Sequence, residues 1–102
     1  MKFYSSLLFL FFSLSSFAEK IVVAQENKKF SHDKLVIKQG DTVDFLNSDP
    51  FFHNVFSLSD TEMFDLGSYP QGESRTVTFN TPGTVEVECA IHPDMYLEII
   101  VE

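Results

Sequence analysis

The stretch ECAIHPDM, Glu88 to Met95, holds the only cysteine of the chain, and a histidine and a methionine follow it with two residues in each gap. Its neighbours say how these side chains point. In VEVEC (85–89), Val85, Val87 and Cys89 share one parity and Glu86 and Glu88 the other. Strand side chains alternate between faces, so a core on the valine side takes Cys89 with it, at the strand's end. In MYLEIIVE (95–102), Met95, Leu97, Ile99 and Val101 share a parity, opposed by Tyr96, Glu98, Ile100 and Glu102. Met95 therefore opens its strand pointing inward. Pro93 has no ladder donor, which places the turn there. The hairpin brings a thiol, an imidazole and a thioether close together.

The chain is 102 residues long, enough for one domain. Lys2, the apolar run Leu7 to Phe12 and the small residues around Ser16-Phe17-Ala18 have the layout of a secretory signal peptide. The apolar run falls far short of the roughly 20 residues of a membrane span. Cleavage after Ala18 is expected, leaving a domain at 19–102, an exported protein and no membrane span. A domain that small buries only about 60% of its unfolded surface and often leans on disulfides or metals. A lone cysteine makes no internal disulfide, which turns attention to metal. Residues 1–18 contain one charged residue, Lys2, so the net charge of −8 becomes −9. That acidity argues against nucleic acid as a partner. It favours solubility and, secondarily, the steering of a basic partner.

From Ile21 onward, short segments alternate in polarity between turn signals, the pattern of an all-β sandwich. Strands are expected at Ile21–Ala24, around Leu35–Ile37, at Thr42–Leu46, His53–Leu58, Arg75–Phe79, and in the two segments already described. Asn47-Ser48-Asp49-Pro50 reads as a chain break. Residues 59–69 read as irregular, with a turn of helix near Thr61–Phe64.

Two histidines and a cysteine in a plane with a weak axial methionine make the blue-copper electron-transfer site. The ligand must be the thiolate, and the metal itself drives deprotonation. The loop supplies one histidine, His92, and the chain has only His32 and His53 besides. His53 starts a strand just after a break, where a residue faces an end loop. His32 sits among lysines and reads as an exposed surface residue. Asn54 is placed to reach the Cys89 loop by its side chain, and the sulfur by its N–H. Each residue has a blander reading: Cys89 a buried small hydrophobe or a thiol awaiting an intermolecular partner, Met95 a core methionine, Phe51 and Phe52 core packing. Met63 is a rival thioether with nothing to place it near the loop. A structural zinc site ranks last because methionine suits zinc poorly.

HN at 53–54 with CAIHPDM at 89–95 resembles the cupredoxins, the plastocyanin and amicyanin superfamily, over nearly all of Ile21 to Glu102. DPFFHNVFSLS (49–59) and FDLGSYPQGES (64–74) are similar to plastocyanin-like proteins associated with methylamine utilisation. The resemblance implies a Greek-key β-sandwich holding one type 1 copper, with His53, Cys89 and His92 equatorial and Met95 axial. Asn54 would support the site from behind. It implies a monomeric, periplasmic electron carrier, not an enzyme, exchanging single electrons with a c-type cytochrome or a dehydrogenase. Electrons would pass at His92, beside an apolar rim of Phe51, Phe52, Ile91 and Pro93. One departure stands out: the aromatic common before the cysteine is Glu88 here. A copper carrier or storage protein without redox cycling is the alternative. Three histidines are too few for the extra copper centres of multicopper oxidases and copper nitrite reductases.

Overall fold

A computed structural model describes residues 17–102. The expected signal peptide at 1–18 lies almost wholly outside them. Nine strands follow one another: β1 (Lys20–Glu26), β2 (Lys29–Phe30), β3 (Lys34–Ile37), β4 (Thr42–Asn47), β5 (His53–Ser59), β6 (Glu62–Tyr69), β7 (Ser74–Thr78), β8 (Gly83–Cys89) and β9 (Tyr96–Val101). The described residues contain no helix. One sheet has the order β2-β1-β4-β7 and the other β3-β9-β8-β5-β6. Both are mixed, because β1 runs parallel to β4 and β3 parallel to β9 while the remaining pairs are antiparallel.

The alternation read from the sequence is the alternation that builds the core. Val43 and Phe45 of β4, Val85 and Val87 of β8, and Leu97 and Ile99 of β9 are all fully buried. Each such side chain contributes roughly 1.5–3 kcal/mol. Cys89 and Met95 continue the inward rows of β8 and β9 and are buried as well. Val55 of β5 pairs with Cys89, so the start of β5 and the end of β8 meet at one end of the sandwich.

Two elements depart from expectation. Residues 62–69 are a strand, with no helical turn at Thr61–Phe64. Asp60 and Thr61 form a tight turn that sets Ser59 opposite Glu62 and Leu58 opposite Met63. The inward residues change parity along β6: Phe64 and Leu66 pack on the core, and then Tyr69 is buried. Gly67, at φ 71°, and a register shift between Asn54 and Phe56 on the partner strand absorb the odd residue. That shift erased the period-2 signal. The second departure is β2, two residues long, too short for any periodicity to show. At the far side of this hairpin region, Gly83 needs to be glycine, because a Cβ there would meet Thr61 Cγ2 at 2.7 Å.

Opposite the ligand loop, Asp41 ties down the residue that leads into β1. Its carboxylate accepts the N–H groups of Glu19 and Lys38, each at 2.9 Å. Those two donors hold the carboxyl below its ordinary value, outweighing burial. A lowered folded-state pKa gives stability that is complete above about pH 4 and lost as pH falls through the folded value. The metal-free protein should therefore lose more stability between about pH 5 and pH 3 than its Asp41→Asn variant, measured by urea denaturation. Parallel pH profiles for the two would remove Asp41 from the acid response.

Candidate metal centre

The break read at Asn47-Ser48-Asp49-Pro50 is a built structure, its first residue ending β4 and residues 48–52 leading to β5. Asn47 ends β4 fully buried, and its Nδ2 donates to the carbonyls of Phe51 (2.8 Å) and Tyr69 (2.9 Å). Its Oδ1 accepts the Asp49 N–H at 2.8 Å. The loop is thereby folded back so that His53 enters β5 with its ring wholly buried. Asp49 Oδ2 lies 2.7 Å from His53 Nε2. A carboxylate accepts, so Nε2 is the donor in this contact and Nδ1 is the ring nitrogen left for another partner. That nitrogen faces Cys89 Sγ at 3.6 Å.

Asp49 also accepts the N–H groups of Asn27 (2.7 Å) and Lys28 (3.0 Å). Burial alone would push this carboxyl up. The His53 ring and the two N–H groups prevail and leave it below the ordinary carboxylate value. It stays an anion at neutral pH, as orienting the imidazole requires.

His92 brings the third donor, its Nδ1 lying 3.8 Å from Cys89 Sγ. Partial burial pushes its imidazolium down, and His53 and Lys28 push the same way. The ring is neutral at neutral pH, the form that ligates metals. The donor atoms of His53, Cys89 and His92 all lie within 4.8 Å of one another. The spacing can be tested against a metal. Bonds of about 2.0 Å to nitrogen and about 2.3 Å to sulfur, at trigonal angles, set nitrogen and sulfur about 3.7 Å apart. The two nitrogen–sulfur distances straddle that value, so the residues fit.

Met95 is buried at the end of the same loop, and its N–H donates to the His92 carbonyl at 3.0 Å, closing the turn over Pro93-Asp94. Asn54 acts through its backbone: its N–H points at Cys89 Sγ at 3.4 Å, and its carbonyl accepts the Ala90 N–H at 3.0 Å. The side-chain bond expected from Asn54 to the Cys89 loop is absent, and its Oδ1 is buried without a partner. Met63 is exposed on β6. His32 stands outside the cluster, half-buried, with Nδ1 3.0 Å from Ser31 Oγ. Of the two phenylalanines, Phe51 is half-buried, its ring centroid 5.4 Å from that of His53 and 5.2 Å from that of His92. Phe52 is 53% exposed and Ile91 49%, with Pro93 exposed beside them.

Residues 18–102 match the copper binding proteins of the plastocyanin/azurin family. The chain is a cupredoxin. Amicyanin from Paracoccus versutus is 30% identical to it over 88 residues, covering 83% of this chain and 67% of that protein. A solved structure of a reduced amicyanin variant superposes with a TM-score of 0.75 at 28% identity, covering 81% of this chain and 82% of the other. A copper-containing nitrite reductase from Thermus scotoductus superposes with a TM-score of 0.76 at 29% identity, but only 22% of that enzyme is covered. The fold of this cupredoxin is that of amicyanin, and its His, Cys, His and Met set suits one type 1 copper.

Asp49 escaped the sequence reading, which took it for part of a chain break. The signal was available: a ligating histidine commonly gives its other N–H to a carboxylate. Asp49 is the one acidic residue between Asp44 and His53.

Proposed function

We propose that this cupredoxin is an exported, monomeric carrier of single electrons, in which His53 Nδ1, Cys89 Sγ, His92 Nδ1 and the Met95 thioether would hold one copper. The convergence of three donor atoms within 4.8 Å carries the reading. Bound copper would supply a Cu(I)/Cu(II) couple, the soft sulfurs suiting one state and the imidazoles the other. The chain's part is to keep those donors still. Asp49 locks the His53 ring and tautomer. The Asn54 N–H takes up charge from the thiolate sulfur. Burial of His53, Cys89 and Met95 excludes water. His92, half-buried against Phe51 and flanked in sequence by the exposed Ile91 and Pro93, offers the edge at which electrons enter and leave. No substrate is transformed. Residues 1–18 act as the export signal, and the periplasm, where amicyanin-like carriers meet cytochromes or dehydrogenases, is the expected compartment.

Adding Cu(II) to the metal-free protein tests this reading. An intense blue absorption is expected, reversibly bleached by ascorbate. A protein that binds only Cu(I) and stays colourless would instead be a copper carrier. Met95→Gln should retain copper and lower the reduction potential, since an oxygen donor favours Cu(II) over Cu(I). An unchanged potential in a voltammogram would show that Met95 is not the axial ligand.

A further inference from the structure

The hairpin joining β1 and β2 turns in two residues, Asn27 at φ 55° and Lys28 at φ 60°. A two-residue turn of this kind prefers Asn-Gly, because both positions need positive φ. A lysine in the second position is strained, because its Cβ crowds the following carbonyl there. The Asp49 carboxylate, accepting both N–H groups, holds the strained turn in place. The side chain that this arrangement keeps is directed at the metal end: Lys28 Nζ lies 5.7 Å from the Phe51 ring centroid, and Phe51 packs on His92.

Between this hairpin and the ligand loop lies an open cleft of about 440 Å³, walled by Asn27 to Lys29 on one side and Ile91 to Asp94 on the other. Its charges are not equivalent. Lys29 faces Glu26 across the hairpin, and Asp94 lies in the opposite wall. Among the described residues neither Lys28 nor Lys29 takes part in a salt bridge, and of the two it is Lys28 whose ammonium stands over the Phe51 ring. The acidic surplus is displayed elsewhere. On the outer face of β8 and β9, Glu86 stands opposite Glu98, with Glu88 next in the row. The charged residues that line the cleft are Lys28, Lys29 and Asp94, two positive against one negative, in a chain whose net charge is −8.

We propose that the cleft beside His92 is the docking site for a redox protein that presents surface carboxylates, with Lys28 as the charge that receives them. This rests on the electron-carrier reading, and it reverses the sign of partner that the overall acidity suggests. A carboxylate seated against the Lys28 ammonium would bring the partner over Phe52, Ile91 and Pro93, whose exposed apolar surface supplies the dry part of a small, transient contact.

Redox-inert paramagnetic complexes separate this proposal from the copper chemistry, because they report on charge alone. With the isotope-labelled protein in its Cu(I) form and again metal-free, hexacyanochromate(III) should broaden the amide signals of Asn27, Lys28, Ile91 and Asp94. Hexaamminechromium(III) should instead broaden those near Glu86 and Glu98. Lys28→Glu should weaken the anion's effect at the cleft by about fivefold. Lys28→Gly, which suits the turn and leaves the N–H to Asp49, should also weaken it while preserving the fold. The proposal is overturned if the anion leaves the cleft amides untouched, if Lys28→Glu broadens as the wild type does, or if the cation prefers the cleft. A protein that never turned blue could still show the expected pattern, and a blue protein could fail to.

Discussion

Cys89→Ala is expected to leave a folded protein with no blue absorption at any copper concentration. The sulfur is the one thiol sulfur in the cluster, 3.6 Å and 3.8 Å from the two imidazole nitrogens, and it would bind copper as the thiolate. Intense visible colour in such sites comes from a copper–thiolate bond, so its loss should be complete. The fold should survive, because trimming one buried atom costs about 1 kcal/mol. The rest of the inward row, Val85, Val87, Leu97 and Ile99, is untouched. Absorption spectra and circular dichroism of copper-treated wild type and variant provide the check. A variant as blue as the wild type would dismiss Cys89 as a ligand.

Asp49→Ala should have the largest effect on stability of any single change near the site. One nearly buried carboxylate receives three donors: His53 Nε2 and the N–H groups of Asn27 and Lys28. Its removal leaves a buried ring nitrogen unpaired and releases a hairpin turn whose two residues both sit at positive φ. Each orphaned buried donor costs about 1–3 kcal/mol. The costs overlap, so a loss of about 3 kcal/mol is expected, a large share of a small domain's stability. With His53 no longer oriented, copper affinity should fall by about 10- to 100-fold. Urea denaturation of the metal-free protein and a competition titration with a chelator measure the two effects. A loss under about 1 kcal/mol with unchanged affinity would make Asp49 a bystander.

The parts of the site that were legible in the sequence are those whose information is local. Val85, Val87 and Cys89 fix one inward row and Met95, Leu97, Ile99 and Val101 another, and strand geometry turns those parities into a direction. His53 was found because only three histidines exist and only one begins a strand after a break. What stayed hidden depends on contacts between distant segments. Asp49 acts on residues 27 and 28, more than 20 positions away, and no periodicity records that. The strand at 62–69 was masked when Gly67 moved the inward side from Phe64 and Leu66 to Tyr69. Asn54 was half read: its N–H reaches Cys89 as expected, but the carbonyl, not the side-chain amide, makes the second bond, to Ala90. The distribution of charge around the metal end was not read from the sequence at all. A net charge is a sum, and Lys28 owes its position over Phe51 to the fold.

X-ray absorption at the copper edge of the reconstituted protein tests the ligand set most directly. One sulfur and two imidazole nitrogens are expected at bonding distance, with the sulfur scattering lost in Cys89→Ala and one imidazole lost in His53→Ala. A first shell of nitrogen and oxygen alone, or one indifferent to both substitutions, would contradict the convergence of His53, Cys89 and His92 on a single copper.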